Sequence, residues 1–129
     1  MKRIFIFFLP LFFTACSSDE KQLTYEELII GEWKLIKECL VDNDVEAYCN
    51  YYSDYNYVFK SDGYCYHYRK GEYIHRTSYY FVDNILYCNL LYAVDGNAKK
   101  IINKITKTEI VLLENYYERE VVIYFVRVK

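Results

Sequence analysis

Seventeen tyrosines, five cysteines and two histidines are the side chains of this 129-residue chain whose chemistry could reach beyond packing. Cys65 and His67 stand two apart, so on a strand both would face one side, and His75 follows close behind. They form the one Cys/His grouping with metal-ligand character. Two ligands fall short of a zinc site's four, however, and no second paired motif completes them. As a Cys–His nucleophile the same pair lacks an orienting third group. The carboxylates are plentiful but scattered, with no spacing that sets two apart as an acid and a base. No catalytic residue, metal or cofactor is expected, and the chain reads as a non-enzyme.

Cys39, Cys49, Cys65 and Cys88 are an even set, which in an exported domain favours disulfides; four thiols allow three pairings. Cys39–Cys49 would cinch the first loop and Cys65–Cys88 would tie two strands, with free buried thiols as the alternative. No C-x-x-C spacing points to redox catalysis. Tyr48, Tyr51, Tyr52, Tyr55 and Tyr57 crowd one stretch, and Tyr64, Tyr66 and Tyr68 alternate along another. Tyrosine joins an apolar ring to a polar tip, so it suits ligand mouths and interfaces. It is equally a good strand former. Val41–Asp54 reads as a long tyrosine-packed loop, and Lys99, Lys100, Lys104 and Lys107 as a solvated basic strand edge.

The elements that would carry these residues begin after a leader. Lys2-Arg3, the apolar run Ile4–Phe13 and Ala15 make residues 1–15 a signal peptide. Its ten apolar residues are too few to span a bilayer, which takes about 20. Phe13-Thr14-Ala15-Cys16 resembles the lipobox of bacterial lipoproteins. That resemblance implies cleavage before Cys16 and acylation of its sulfur and nitrogen, palmitate among the chains, and hence a stable membrane anchor. Residues 16–22 are the lipidated cysteine and a polar tether. Its Asp19-Glu20 resembles the surface-export signals of Bacteroidota lipoproteins, so the outer membrane is the expected location. Both its periplasmic and its cell-surface face stay open. Without Lys2 and Arg3 the count is 14 Lys+Arg against 18 Asp+Glu, about −4. A mildly acidic chain has no sequence-independent grip on nucleic acid.

Residues 23–129 read as one domain. Thr24 and Glu27 form a capping box, with Leu23 and Leu28 as a hydrophobic staple, which predicts a short helix to about Ile30. Eight strands follow: Glu32–Leu40, Tyr55–Lys60, Tyr64–Arg69, Tyr79–Val82, Ile85–Leu91, Lys99–Thr106, Glu109–Glu114 and Glu120–Val128. Asn, Asp and Gly in the separators tolerate the positive φ of tight hairpins. The last strand is apolar on both faces, which predicts a closed or covered sheet. The expected fold is all-β, an antiparallel up-and-down eight-stranded barrel behind a short N-terminal helix.

Gly31-Glu32-Trp33 after that helix is similar to the G-x-W opening of lipocalins, with Arg127 on the last strand as its partner. Tyr57–Gly63, Tyr80–Leu86 and Ile105–Leu112 resemble, in order, segments of the bacterial lipocalin-like lipoprotein domain. The resemblance implies that Gly31, Trp33 and Arg127 close the barrel base, and that the barrel binds a small apolar or amphipathic molecule. Tyr57, Phe59, Tyr66, Tyr80 and Phe125 are the candidate lining. The other reading is a surface module that holds a protein or glycan through the tyrosine-rich stretch, around a barrel filled by its own side chains.

Overall fold

The computed structural model describes residues 22–90, 99–116 and 118–129, leaving aside the side chain of Tyr116. The expectations for the leader, Cys16 and most of the tether lie outside these residues. The helix α1 is Tyr25–Ile29, and nine strands follow among the described residues. They are β1 Gly31–Asp42, β2 Val45–Tyr51, β3 Tyr55–Phe59, β4 Tyr64–Arg69, β5 Glu72–Val82, β6 Ile85–Cys88, β7 Lys99–Ile105, β8 Glu109–Tyr116 and β9 Arg119–Arg127. Each pairs antiparallel with its neighbours in the order β9-β8-β7-β6-β5-β4-β3-β1-β2, and β9 returns to pair with β1. Eight of the strands therefore close a barrel. The ninth, β2, is an addition beside the far half of β1: Gly31–Lys34 pair with β3, whereas Lys37–Asp42 pair with β2.

Val41–Asp54 is thus not a long loop. Asn43 and Asp44 both hold positive φ, 52° and 63°, as a two-residue hairpin turn requires, and the chain runs straight back as β2. Tyr48, also at positive φ, is the extra residue of a bulge between the Cys39↔Cys49 and Leu40↔Ala47 pairs. The strand expected at Tyr79–Val82 begins seven residues earlier, at Glu72, immediately after the Lys70-Gly71 turn.

The capping box forms as read: the Thr24 hydroxyl accepts from Glu27 N at 3.1 Å, and Glu27 Oε1 accepts from Thr24 N at 2.9 Å. The helix then plugs one end of the barrel. Ile29 is fully buried, and its carbonyl accepts from the Trp33 indole N–H at 2.8 Å. Arg127 lies over the Trp33 ring at 4.2 Å, a cation–π contact. Its guanidinium also donates to the carbonyls of Leu28, Ile30 and Lys107, so a cation ties up the orphan carbonyls at the helix C-terminus. Gly31 is required here: a Cβ would meet Arg127 Nη1 at 2.2 Å, and its φ of 140° is one that L side chains rarely adopt. Gly31, Trp33 and Arg127 thus meet at this end of the barrel.

Above the base, alternation sorts the strands cleanly. Val121, Ile123 and Phe125 point inward, where they meet Leu35, Tyr57, Phe59, Ile102, Ile110 and Leu112 in one core cluster. Cys39 and Cys49 form a disulfide across the β1–β2 hairpin, as expected. Cys65 and Cys88 do not: they are buried thiols. They sit on β4 and β6 with β5 between them, whereas Cys39 and Cys49 stand directly opposite each other on paired strands. The Cys65 thiol donates instead to the Cys88 sulfur, and burial pushes the Cys65 thiol well up from its ordinary value.

Candidate functional site

Three of the five candidate lining residues lie inside the barrel, in its core cluster. Tyr57, Phe59 and Phe125 are each 2% exposed. Tyr57 meets Phe125 edge-on at 5.7 Å and His67 at 5.0 Å, while Phe59 meets Tyr79 at 5.0 Å. Such T-shaped contacts are the favoured geometry of packed aromatic rings. The other two lie outside. Tyr80 is 56% exposed and stacks on Tyr87 at 4.9 Å, and Tyr66 faces out between the inward-facing Cys65 and His67. The parity follows from the pleat: with Cys65 and His67 buried, Tyr64, Tyr66 and Tyr68 must take the opposite face.

The end of the barrel away from Trp33 is polar. Lys100 is only 1% exposed and its Nζ lies 2.5 Å from Glu114 Oε1. The basic stretch is therefore not a solvated edge throughout, because Lys100 shares the inward face with Ile102. Glu38 joins this layer from β1. Burial pushes its carboxyl up from the ordinary value, neighbouring Glu114 pushes the same way, and a hydrogen bond from the Tyr52 hydroxyl offsets part of the rise. On β4 and β5, His67 stacks on His75 at 4.4 Å, and its Nε2 lies 2.9 Å from the Thr77 hydroxyl. Desolvation, reinforced by His75, lowers the His67 pKa from 6.5 to about 4.

His67 is therefore neutral in the folded protein at pH 7, whereas an unfolded chain would take up its proton near pH 6.5. Stability from this group is fully present above that value and is lost as pH falls toward 4. The shift corresponds to about 3 kcal/mol at most. Urea unfolding of the wild type and His67→Gln at pH 7 and pH 4.5 is expected to show a smaller acid loss in the variant. Equal losses would overturn the assignment.

The outer face of β4 and β5 carries a run of tyrosines in which Tyr73 is 53% exposed and Tyr64, Tyr66 and Tyr68 are half-buried. Tyr64 and Tyr66 lie 6.5 Å apart, Tyr66 and Tyr73 6.3 Å, and Tyr68 and Tyr73 5.8 Å, which makes a continuous run of rings. Cations brace it: the Arg76 guanidinium lies 4.2 Å over Tyr64, and Lys60 Nζ lies 4.4 Å over Tyr66. Asp62 accepts from the Tyr66 hydroxyl at 2.5 Å, which holds its carboxyl below the ordinary value. Beside this run lies a half-open groove of about 350 Å³, lined by Glu32, Asn56, Val58 and Tyr68. Its rim is Ser53-Asp54 on one side and Lys70-Gly71 on the other. Further exposed rings, Tyr48 at 77% and Tyr51 at 74%, stand on the added β2 strand.

No family model, no curated protein and no solved structure matches this chain. Function must therefore be argued from the residues themselves. Among the described residues, one cluster of three potential metal ligands lies within mutual reach: Cys39, Glu46 and Cys49. Its two sulfurs are bonded to each other and hold no lone thiolate for an ion. Cys65 and His67 do share a face, yet the close neighbours of His67 are rings and a hydroxyl. No helix among the described residues is long and apolar enough to cross a membrane. Sequence reasoning missed the groove and the Lys100–Glu114 pair. Alternation from Ile102 gave a usable signal for Lys100; the groove gave none, because its residues come from three separate stretches of the chain.

Proposed function

We propose that this protein is a lipid-anchored, non-enzymatic binding module of a bacterial outer membrane, with a filled barrel as scaffold and a tyrosine-rich outer face as recognition surface. The observation that carries the reading is the division of the aromatic residues. Tyr57, Phe59 and Phe125 are spent on the core, while Tyr64, Tyr66, Tyr68 and Tyr73 form a run of rings on the outside, braced by Arg76 and Lys60. Rigid, amphipathic rings on a closed sheet lose little entropy on binding and present both apolar faces and hydroxyl tips.

The test is site-specific photo-crosslinking in the protein's own host. Tyr73 is replaced by photoreactive benzoylphenylalanine, and Val126, on the opposite side of the barrel, serves as the control position. A higher-mass adduct from position 73 and none from position 126 is expected. Adducts from both positions, or from neither, would remove the outer face as the recognition surface.

The anchor is tested separately. Cys16→Ala is expected to shift the protein from the membrane fraction to the soluble one, since three acyl chains bind far more firmly than one. Membrane association unchanged by the substitution would overturn lipidation.

A second reading keeps a small amphipathic ligand at the polar end of the barrel. The charged layer of Lys100, Glu114 and Glu38 above an apolar floor favours it. Native mass spectrometry of the domain from its own host separates the two. A discrete mass lost on denaturation supports the barrel ligand, and a bare protein mass supports the filled scaffold.

A further inference from the structure

We propose that the groove between β1, β3 and β4 is a saccharide subsite, taking a neutral oligosaccharide with one sugar ring laid on Tyr68. This rests on the outer face being the recognition surface, and it names the chemistry of what that surface holds. Of the eight lining residues, one is aromatic and one aliphatic, Tyr68 and Val58. The rest supply carboxylates (Glu32, Asp54), an amide (Asn56), a hydroxyl (Ser53), an ammonium (Lys70) and the bare backbone of Gly71. A sugar ring has an apolar C–H face and a rim of hydroxyls that both donate and accept. One aromatic platform ringed by fixed donors and acceptors complements both features.

Several of those polar groups are already held in place. Asn56 Nδ2 donates to Glu32 Oε2 at 2.6 Å, and the Ser53 hydroxyl donates to Asp54 Oδ1 at 3.1 Å. Pre-ordering lowers the entropy lost on binding. Gly71 keeps one lip low, with nothing within 4 Å of where a Cβ would stand.

The same residues argue against other ligands. Lys129 Nζ lies 3.9 Å from Glu32 Oε1, so with Lys70 the two carboxylates are balanced, and a groove without net charge gives phosphates and uronic acids no electrostatic advantage over a neutral sugar. A single aliphatic side chain gives a purely apolar ligand little to bury against. The volume of about 350 Å³ lies at the low end of small-molecule sites, about 300–1,000 Å³. From Tyr68 the ring contacts continue to the exposed Tyr73, so a second sugar unit meets a second ring. Disaccharides should therefore bind more tightly than their monosaccharides.

The experiment is saturation-transfer NMR and calorimetric titration of the mature domain. The probes are cello-, laminari-, malto- and chito-oligosaccharides, with oligogalacturonide as the anionic counterpart. At least one neutral series is expected to bind and to tighten with length. Tyr68→Ala should weaken that binding by about tenfold or more, while Tyr80→Ala, on another part of the barrel, leaves it unchanged. Tyr68 lies on the outer face, and an unchanged circular dichroism spectrum verifies that its variant is folded. No binding by any neutral series, a preference for the galacturonide, or binding that survives Tyr68→Ala would overturn the proposal. A protease-sensitive crosslink from position 73 without sugar binding would overturn the saccharide site and leave the outer-face reading in place. Absence of both would remove both.

Discussion

Trp33→Ala is expected to destabilise the domain by about 3–5 kcal/mol, the range for emptying a buried aromatic site. The ring is fully buried, its N–H holds the Ile29 carbonyl, and Arg127 covers it. Its loss would unseat three things together: the helix C-terminus, the guanidinium that caps it, and the floor beneath Leu35 and Phe59. For a domain of this size each kcal/mol moves the melting midpoint by about 4 °C or more, so a fall of at least about 12 °C is expected by circular dichroism. Total stabilities of about 5–15 kcal/mol make the variant marginal. Trp33→Phe should lose less, because a ring still fills the space while the indole hydrogen bond goes. A melting curve for Trp33→Ala within a few degrees of wild type would refute the closure of the base by this residue.

The helix at that end of the barrel was readable from the chain because its capping box is local, whereas Trp33 and Arg127 were paired only by the resemblance of their segments to lipocalins. Thr24 and Glu27 cap the helix, Gly31 must be glycine, and Trp33 and Arg127 sit at the two ends of the barrel's strand order. The closed sheet was readable for a related reason: Val121–Val126 is apolar on both faces, and only closure or cover hides both. What failed was parity and turn recognition. Ile36, Tyr48, Ile74 and Asn103 are each skipped in strand pairing, and every skipped residue reverses which side chains face inward. Tyr66 and Tyr80 are expected in the lining of the lipocalin-like barrel, yet the pleat turns both outward. β2 was hidden in an apparent loop because none of its residues is buried, so it carries no apolar core face to reveal it. The polar half of β5, Glu72–Ser78, showed no hydrophobic alternation because its outer face is wet and its inner face carries His75 and Thr77. The groove was invisible for a deeper reason, since Glu32 meets Asn56 and Tyr68 only once β1 pairs with β3 across the intervening β2 strand.

Lys100→Met is expected to cost about 3–5 kcal/mol, as large as the loss of the tryptophan and for an opposite reason. The methionine fits the space and leaves no cavity. What it removes is the cation 2.5 Å from Glu114, in an enclosed layer where Glu38 is a second carboxyl already raised by burial and by that same Glu114. The stranded carboxylates then face each other with less water to screen them. A carboxyl whose folded pKa is raised destabilises at pH above its unfolded value and ceases to do so once both states are protonated. The deficit of Lys100→Met should therefore be greatest near pH 7 and shrink as the pH falls through about 5 toward 4. Replacing the partner as well, Lys100→Met with Glu114→Leu, should recover most of the loss, because an apolar pair of similar volume costs little in such a layer. Urea unfolding of the two single variants and the double variant at pH 7 and pH 4.5 gives the coupling directly. A deficit of the same size at both pH values would mean that Lys100 acts through the packing of its alkyl chain. A double variant no better than Lys100→Met would mean that the pair is not the unit. If the predicted pattern holds, the polar end of the barrel carries a charge balance that any ionised ligand entering there must match.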